Sequence, residues 1–376
     1  MTSKFETIKI IVFATIIALL SSQGWSSSRE IEKHSFVLMQ GVDAAPGGEF
    51  DLTYSIALPE AMSGEGGGGS AKEANFVHKT RCKALWQGAH DIQAELENPL
   101  YFGHVQARIL GEEQARRGVS QILDVYLRPS ESRRKAWIVV ADGKAEKLIE
   151  ATPKGSSVLP LFLGQVLEMQ DYLNAIPPMR VAEFSAKVYN PGEQAVIPII
   201  KAEKDRIAIS GLALFKEDKM VGKLDYDEMH YLLLVSSGKG HAFKQFETDN
   251  GDIFVFRIQN VKRRVKPHLN GNQVSFAVSL EIEGNIIESA SDGSLKDPKF
   301  LSQVEHALST ALEKDCQAVL HRVQKEFKVD SYSFGSIVRA RYPKVWKEMD
   351  WNKEFPDIPI NITVNAQIRR LGMVAR

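Results

Sequence analysis

The chain has 376 residues, enough for two or three domains that each bury a core. Hydrophobic residues make up 44% and charged residues 25%, the proportions of globular domains rather than of a disordered or fibrous chain. Lys plus Arg and Asp plus Glu are equal at 47 each, so the basic excess that usually marks a nucleic-acid partner is missing.

Residues 1–24 read as an export signal. Lys4 and Lys9 supply positive charge, and residues 10–20 are apolar apart from Thr15. That run is short for a bilayer span of about 20 residues and suits the apolar region of a signal peptide. Ser22 and Gly24 are small residues two apart, as signal peptidase prefers. The other reading is a retained N-terminal anchor with Ser21, Ser22 and Gln23 in the membrane interface.

Strands are predicted over 36–42 and 50–58, joined by the turn-rich DAAPGG. Phe50, Leu52, Tyr54, Ile56 and Leu58 recur with period two, which predicts one buried face. The following SGEGGGGSAKEA reads as a flexible surface loop. It is no phosphate loop, since Gly69 is followed by Ser70 and Lys72 comes late. From 76 to 150 the pattern alternates. Strands are expected in NFVHKTR, HVQARILG and KAWIVVADG, and helices in CKALWQGAHDIQAEL, in EEQARRGVSQILDVYLR (broken at Gly118) and in AEKLIEAT. Strands alternating with helices imply an α/β layer. A helix from Leu159 to about Leu173 closes this part, and the prolines of NAIPPMR end it.

Residues 180–240 read as strand-rich, with turns at NPGE and EKD, a hairpin at KEDK and a short helix in YDEMHYLLLVS. Two further strands follow, over 252–269 and 274–289, around an Asn-Gly turn. A long helix is predicted from about Pro298 to Phe327, because Leu301, Val304, Leu308, Leu312, Val319, Val323 and Phe327 keep helical spacing. A final strand begins at Ile360. The expected fold class is therefore mixed α/β and α+β: an export signal (1–24), an N-terminal α/β domain (25–178), a small strand-rich middle domain (179–240) and a C-terminal α+β domain (241–376).

The chain offers little chemistry. None of its nine histidines lies four residues from another, and HExxH, GxSxG and CxxC are all missing. The sequence predicts no catalytic residue, no metal site and no cofactor. DNGD at 249–252 reads as a tight turn rather than a calcium loop. The two cysteines, Cys82 and Cys316, could pair after export, but nothing local demands it. Cys316 falls on an apolar helix face, as a small buried hydrophobe does. The basic run VKRRVKP, 261–267, reads as the solvated face of an edge strand, with anionic headgroups or an acidic partner as the functional alternative. Trp346, Trp351 and Phe355 lie close together near the C-terminus. Core packing is the default for such a set, and contact with a partner protein is the alternative.

Several motifs recur in one order. Trp25, Arg29, Glu30 and Ile31 precede a strand ending in Gly41 and Asp43. GHVQARILGEEQARRGVSQILDVYLRPSESR and LALFKEDKMVGKLD follow, and the tail carries VQKEFKVDSYSFGSIVRARYPKVWKEMDWNKEF. In these the chain resembles the C subunit of bacterial spore germinant receptors, the Ger(x)C family, over nearly its whole length. The resemblance implies a three-domain mixed α/β protein on the outer face of the spore inner membrane. It implies action with two integral-membrane partners, the A and B subunits, in sensing nutrients, and no catalytic residues. One departure stands out: Gly24 occupies the position of the family's lipid-carrying cysteine, and one extra residue separates Trp25 from Arg29. Glycine offers no thiolate, so no lipidation is expected at Gly24 as written. Two other readings compete. An extracytoplasmic solute-binding protein predicts a pocket at a domain interface, and a secreted hydrolase predicts a nucleophile–base pair.

Overall fold

The computed structural model describes residues 34–57, 75–129, 132–154, 158–173, 175–177, 179–203, 205–240, 242–291 and 293–370, together with Thr15. The export signal, Gly24, the Trp25–Ile31 motif and the glycine-rich loop lie outside the described residues.

The first of two sheets is formed by β1 (Ser35–Ala44), β2 (Phe50–Ala57), β3 (Asn75–Cys82), β4 (Leu100–Tyr101), β5 (Ala107–Gly111), β6 (Trp137–Ala141), β7 (Val196–Glu203), β8 (Arg206–Lys216) and β9 (Lys219–Asp225). Their order is 3-2-1-5-6-7-8-9, with β4 beside β1. The centre, β1-β5-β6-β7, is parallel. Each flank is antiparallel.

Seven helices accompany this sheet: α1 (Leu85–Gln93), α2 (Glu112–Arg117), α3 (Ser120–Leu127), α4 (Ala145–Ile149), α5 (Leu159–Tyr172), α6 (Val181–Tyr189) and α7 (Tyr226–Ser237). Leu85, Ala115, Ile122, Tyr126 and Phe184 pack with Leu52, Tyr54, Ile138 and Phe215 on one face. Ala145, Leu148, Leu163, Leu167 and Leu232 pack with Met39, Ile109, Val139 and Leu212 on the other. Successive strand residues point to opposite faces, so both helix layers draw on the same strands. That is why all five residues of β6, WIVVA, are buried.

Two expectations change here. β2 is buried on both faces, since Thr53 and Ser55 are as inaccessible as Leu52. The stretch 179–240 does not stand apart: β7 pairs in parallel with β6 at Val140–Ile199 and Ala141–Ile200, so its strands extend the N-terminal sheet across the expected boundary at 178/179. Periodicity identifies a strand but not its neighbour, and a parallel neighbour is reached only through a long crossover.

The second sheet contains β10 (Phe243–Glu247), β11 (Ile253–Asn270), β12 (Gln273–Ala290) and β13 (Ile360–Arg370), in that order. The DNGD segment is the predicted turn between β10 and β11, with Thr248 N donating to Asp252 O at 3.0 Å. The long helix α8 (Pro298–His321) opens on the Asp297 side chain as N-cap and continues through a wider turn, Arg322–Glu326. It buries Val304, Leu308, Leu312, Cys316, Val319 and Leu320. Each of its buried Leu or Val side chains contributes roughly 1.5–3 kcal/mol.

The polar side of α8 has its own task. Strand β13 lies at the sheet edge, where backbone groups need partners. Ile368 N donates to Glu305 Oε1 at 2.8 Å, Ala366 N to Ser309 Oγ at 2.9 Å and Val364 N to Glu313 Oε2 at 3.0 Å. Gln317 Nε2 donates to Ile362 O at 3.3 Å. Four residues of helix rise about 6 Å and two residues of strand about 6.6 Å. A side chain on every fourth helical position therefore meets every second strand residue. No helix among the described residues is long and apolar enough to cross a membrane.

Candidate functional site

The tail motif folds into one unit. After α8 come α9 (Phe334–Arg341), α10 (Pro343–Glu348), α11 (Trp351–Glu354) and a tight turn at Phe355–Asp357. Asp330 is its centre and is 2% exposed. Its Oδ1 accepts from Tyr332 N at 3.1 Å and Phe334 N at 3.2 Å, and its Oδ2 from Gly335 N at 2.7 Å and Trp351 Nε1 at 3.1 Å. Burial pushes its carboxyl up to about 6 even against these four bonds, which pull it down. Gln324 fastens the other side, its Nε2 donating to Phe355 O at 2.8 Å and Ile358 O at 2.7 Å. Gln324, Asp330, Gly335, Trp351 and Phe355 thus form a clasp that closes the tail onto its own helix.

The clasp also grips the first sheet's unit. Gly192, at φ +86°, sits against Gly335 and Trp346, and a Cβ on it would lie 2.8 Å from Trp346 Cη2. Gln194 Nε2 donates to Asn352 Oδ1 at 3.3 Å, and Gln194 Oε1 accepts from Glu217 N at 2.6 Å. Asn352 Nδ2 donates to Glu217 Oε1 at 3.2 Å, and Arg339 Nη1 to Asn190 Oδ1 at 2.6 Å. Lys216 Nζ donates to Lys328 O at 3.2 Å. Phe327 covers Gly222 so closely that a Cβ there would lie 2.4 Å from the ring. Arg322 pairs with Glu228, which also completes the capping box of α7 with Asp225.

Three non-glycine residues of the described chain have positive φ: Glu217 at 56°, Lys328 at 53° and Ser333 at 61°. All three belong to this joint. Such conformations cost of order 1 kcal/mol or more each and persist where surrounding contacts fix them.

Beside the joint opens a cleft of about 470 Å³, bounded by Tyr189, Glu193, Glu217, Trp346, Asp350 and Asn352, among others. Trp346 is half-buried on its wall. Trp351 and Phe355 are 5% and 1% exposed, so they hold the clasp together and present no face to a partner. Of the three aromatics singled out in the sequence, Trp346 alone keeps an accessible surface. Trp346 and Trp351 ring centroids lie 6.0 Å apart, and Trp351 and Phe355 5.7 Å apart. Sequence reading passed over Gly192, Gln194, Glu217 and Asn352. The local signals were the NPGE turn and the KEDK hairpin, which mark Gly192 and Glu217 as turn residues but not what packs against them.

Other expected features find their places. Asp43 is buried, and its carboxylate accepts from Ala145 N at 2.8 Å and Glu146 N at 2.9 Å, anchoring the start of α4. Gly111 lets it approach: a Cβ there would lie 2.0 Å from Asp43 Oδ1. Cys82 and Cys316 are free and buried in separate cores. In the basic run, Lys262, Arg264 and Lys266 are exposed while Val261, Arg263 and Val265 are half-buried. Among the described residues no three His, Cys, Asp or Glu side chains converge on a metal position.

Comparison with known proteins also divides the chain in two, but at residues 202–210, within the first sheet, so that most of β8 and all of β9 fall to the C-terminal part. Residues 27–202 match the family model described as "Spore germination protein N-terminal domain", and residues 210–372 the one described as "Spore germination B3/ GerAC like, C-terminal". Spore germination protein B3 of Bacillus subtilis (strain 168) is 25% identical over 100% of this chain and 99% of its own. Spore germination protein YndF of the same organism is 23% identical over 95% of each chain. The crystal structure of the GerBC protein superposes with a TM-score of 0.61 at 22% identity, covering 91% of this chain and 100% of that one.

Proposed function

Because the chain belongs to the Ger(x)C family of spore germination proteins, we propose that it is the C subunit of a nutrient germinant receptor. In this reading it acts with the membrane A and B subunits at the outer face of the spore inner membrane and performs no catalysis itself. The carrying observation is that both domain models match in order over nearly the whole chain, and that the family-like tail residues are the ones that build the clasp. Their role is to fix two lobes in one relative orientation, which suits a subunit that presents a rigid surface to its partners. Gly24 removes the thioether anchor. Attachment then rests on the N-terminal segment and on contacts with the partner subunits.

The test is germination of spores that carry this chain in their only nutrient receptor. Deleting the chain is expected to abolish nutrient-triggered release of spore contents while a non-nutrient trigger still acts. Detergent extracts should yield the chain together with both membrane subunits. Wild-type nutrient response in the deletion spores would overturn the reading.

A further inference from the structure

Three cations of the basic run on β11 take no part in the clasp. Lys262, Arg264 and Lys266 are exposed and occupy every second position of the strand. They therefore share one face of the second sheet, spaced about 6.8 Å apart. The other face is the one under α8, where Val278, Leu280, Ile362 and Val364 pack with Leu308 and Leu312. Opposite the three cations stand Glu281, Ser279 and Ala277 on β12, and beyond these Asn365, Thr363 and Asn361 on β13. The β13 side chains are exposed and the β12 side chains half-buried, so this face lies open to solvent. β10 covers β11 over Ile253–Arg257. The cation row lies past its end, on an edge with no strand beside it among the described residues.

The one carboxylate in these nine positions is Glu281, 3.7 Å from Arg264 Nη2. The next along β12, Glu283, is taken by Arg369. Among the described residues, Lys262 and Lys266 form no ion pair. One lysine is enough to keep a strand edge from pairing with another chain. Three cations in a row, over neutral and mostly small neighbours, make a positive surface. The nine positions carry no aromatic and no large apolar side chain, the anchors that grip a protein partner or stack on nucleic-acid bases. Exposed Phe243 and Ile253 belong to the far end of the face, beside β10. Spread charge without anchors suits a partner that is itself a sheet of charge.

We propose that this face of the second sheet docks on the anionic headgroups of a phospholipid bilayer. Each Lys or Arg held near such a surface strengthens binding about fivefold. The inference rests on the reading of the chain as a membrane-associated receptor subunit, and it supplies a contact that Gly24 does not.

The experiment places an environment-sensitive dye on Asn361→Cys in the full chain. Cys82 and Cys316 are buried, so the dye goes to the introduced thiol. The labelled chain is added from detergent to vesicles of phosphatidylcholine, alone or mixed with phosphatidylglycerol. Dye emission reads contact of the face even where the N-terminal segment already holds the chain to the vesicle. Emission is expected to shift on the phosphatidylglycerol vesicles and not on phosphatidylcholine alone. The shift should vanish in molar salt, where charges are screened beyond about 3 Å. The face variant Lys262→Gln/Arg264→Gln/Lys266→Gln should weaken docking about a hundredfold and abolish the shift. Lys296→Gln/Lys299→Gln/Lys314→Gln removes the same charge from exposed positions on and just before α8 and should keep it. All six side chains are exposed, so both variants fold. The proposal is overturned if phosphatidylglycerol gives no shift, if phosphatidylcholine gives the same one, if the face variant keeps it or if the α8 variant also loses it. A face variant that keeps the shift but no longer co-extracts the membrane subunits would overturn it in favour of a protein partner. The deletion spores test the receptor reading separately, so failure of the docking leaves that reading standing.

Discussion

The indole Nε1 of Trp351 donates to Oδ2 of Asp330 at 3.1 Å, across 21 residues of chain and inside a core that excludes water. The bond makes a tryptophan that looks like a partner anchor into an internal fastener. It also satisfies one of four donors aimed at a single buried carboxylate, on which the orientation of the whole tail depends.

Replacing Trp351 by Phe keeps a ring and deletes the donor. Asp330 then loses one of its four bonds in a place where water does not replace it. The expected cost is about 1–3 kcal/mol of unfolding free energy, read as a lower urea midpoint with unchanged slope. An unchanged midpoint would mean that the bond is incidental to the clasp.

The Asp330 carboxyl, held at about 6 by burial, lies above the ordinary aspartate value near 3.9. It therefore binds its proton more tightly folded than unfolded. Its contribution to stability is largest below about pH 4 and is lost as pH rises through about 6. Asp330→Asn has no such titration. From pH 4.5 to 7 the parent chain should lose stability relative to Asp330→Asn by about 2 kcal/mol, because each pH unit crossed between the unfolded and folded values is worth about 1.4 kcal/mol. Parallel stability–pH curves for the two proteins would rule this out.

Glycines at positive φ separate conformation from packing. Gly47, at φ +69°, has open space where a Cβ would go, whereas a Cβ on Gly192 would collide with Trp346 and the Gly335 backbone. Both alanine variants bear the strain of roughly 1–2 kcal/mol for a left-handed residue. Gly192→Ala should lose clearly more, since the joint must also open. Equal losses in calorimetry would show that the two lobes are not held together here.

Lys328 has φ 53° and an exposed side chain. Glycine adopts that conformation without steric cost, although it is more flexible when unfolded. Lys328→Gly is expected to raise stability by about 0.5–1 kcal/mol, and a lower Tm would show that the lysine side chain does something the contacts do not reveal.

The α8 ladder on β13 gives a local test. Glu313→Ala leaves Val364 N without its acceptor, at about 1–3 kcal/mol. Hydrogen exchange at Val364 should accelerate while exchange in β5 and β6 stays slow. Uniform acceleration across both sheets would show that the ladder is not a local feature.

Much of this protein was legible in its sequence, because the signals involved are local. Helical spacing marks α8 and the burial of Cys316, the turn residues mark the β10–β11 and β11–β12 connections, and Gly118 divides α2 from α3. The tail motif, in its order, also identified the family. Tertiary structure alone decided the rest. β7 joins β6, so the expected middle unit shares the N-terminal sheet. Thr53 and Ser55 are buried because the sheet carries helices on both faces. Trp351 and Phe355 turn inward because Asp330 and Gln324 wait there. In each case the deciding neighbour is far away in sequence, and periodicity records which face of an element is apolar without recording what will cover it.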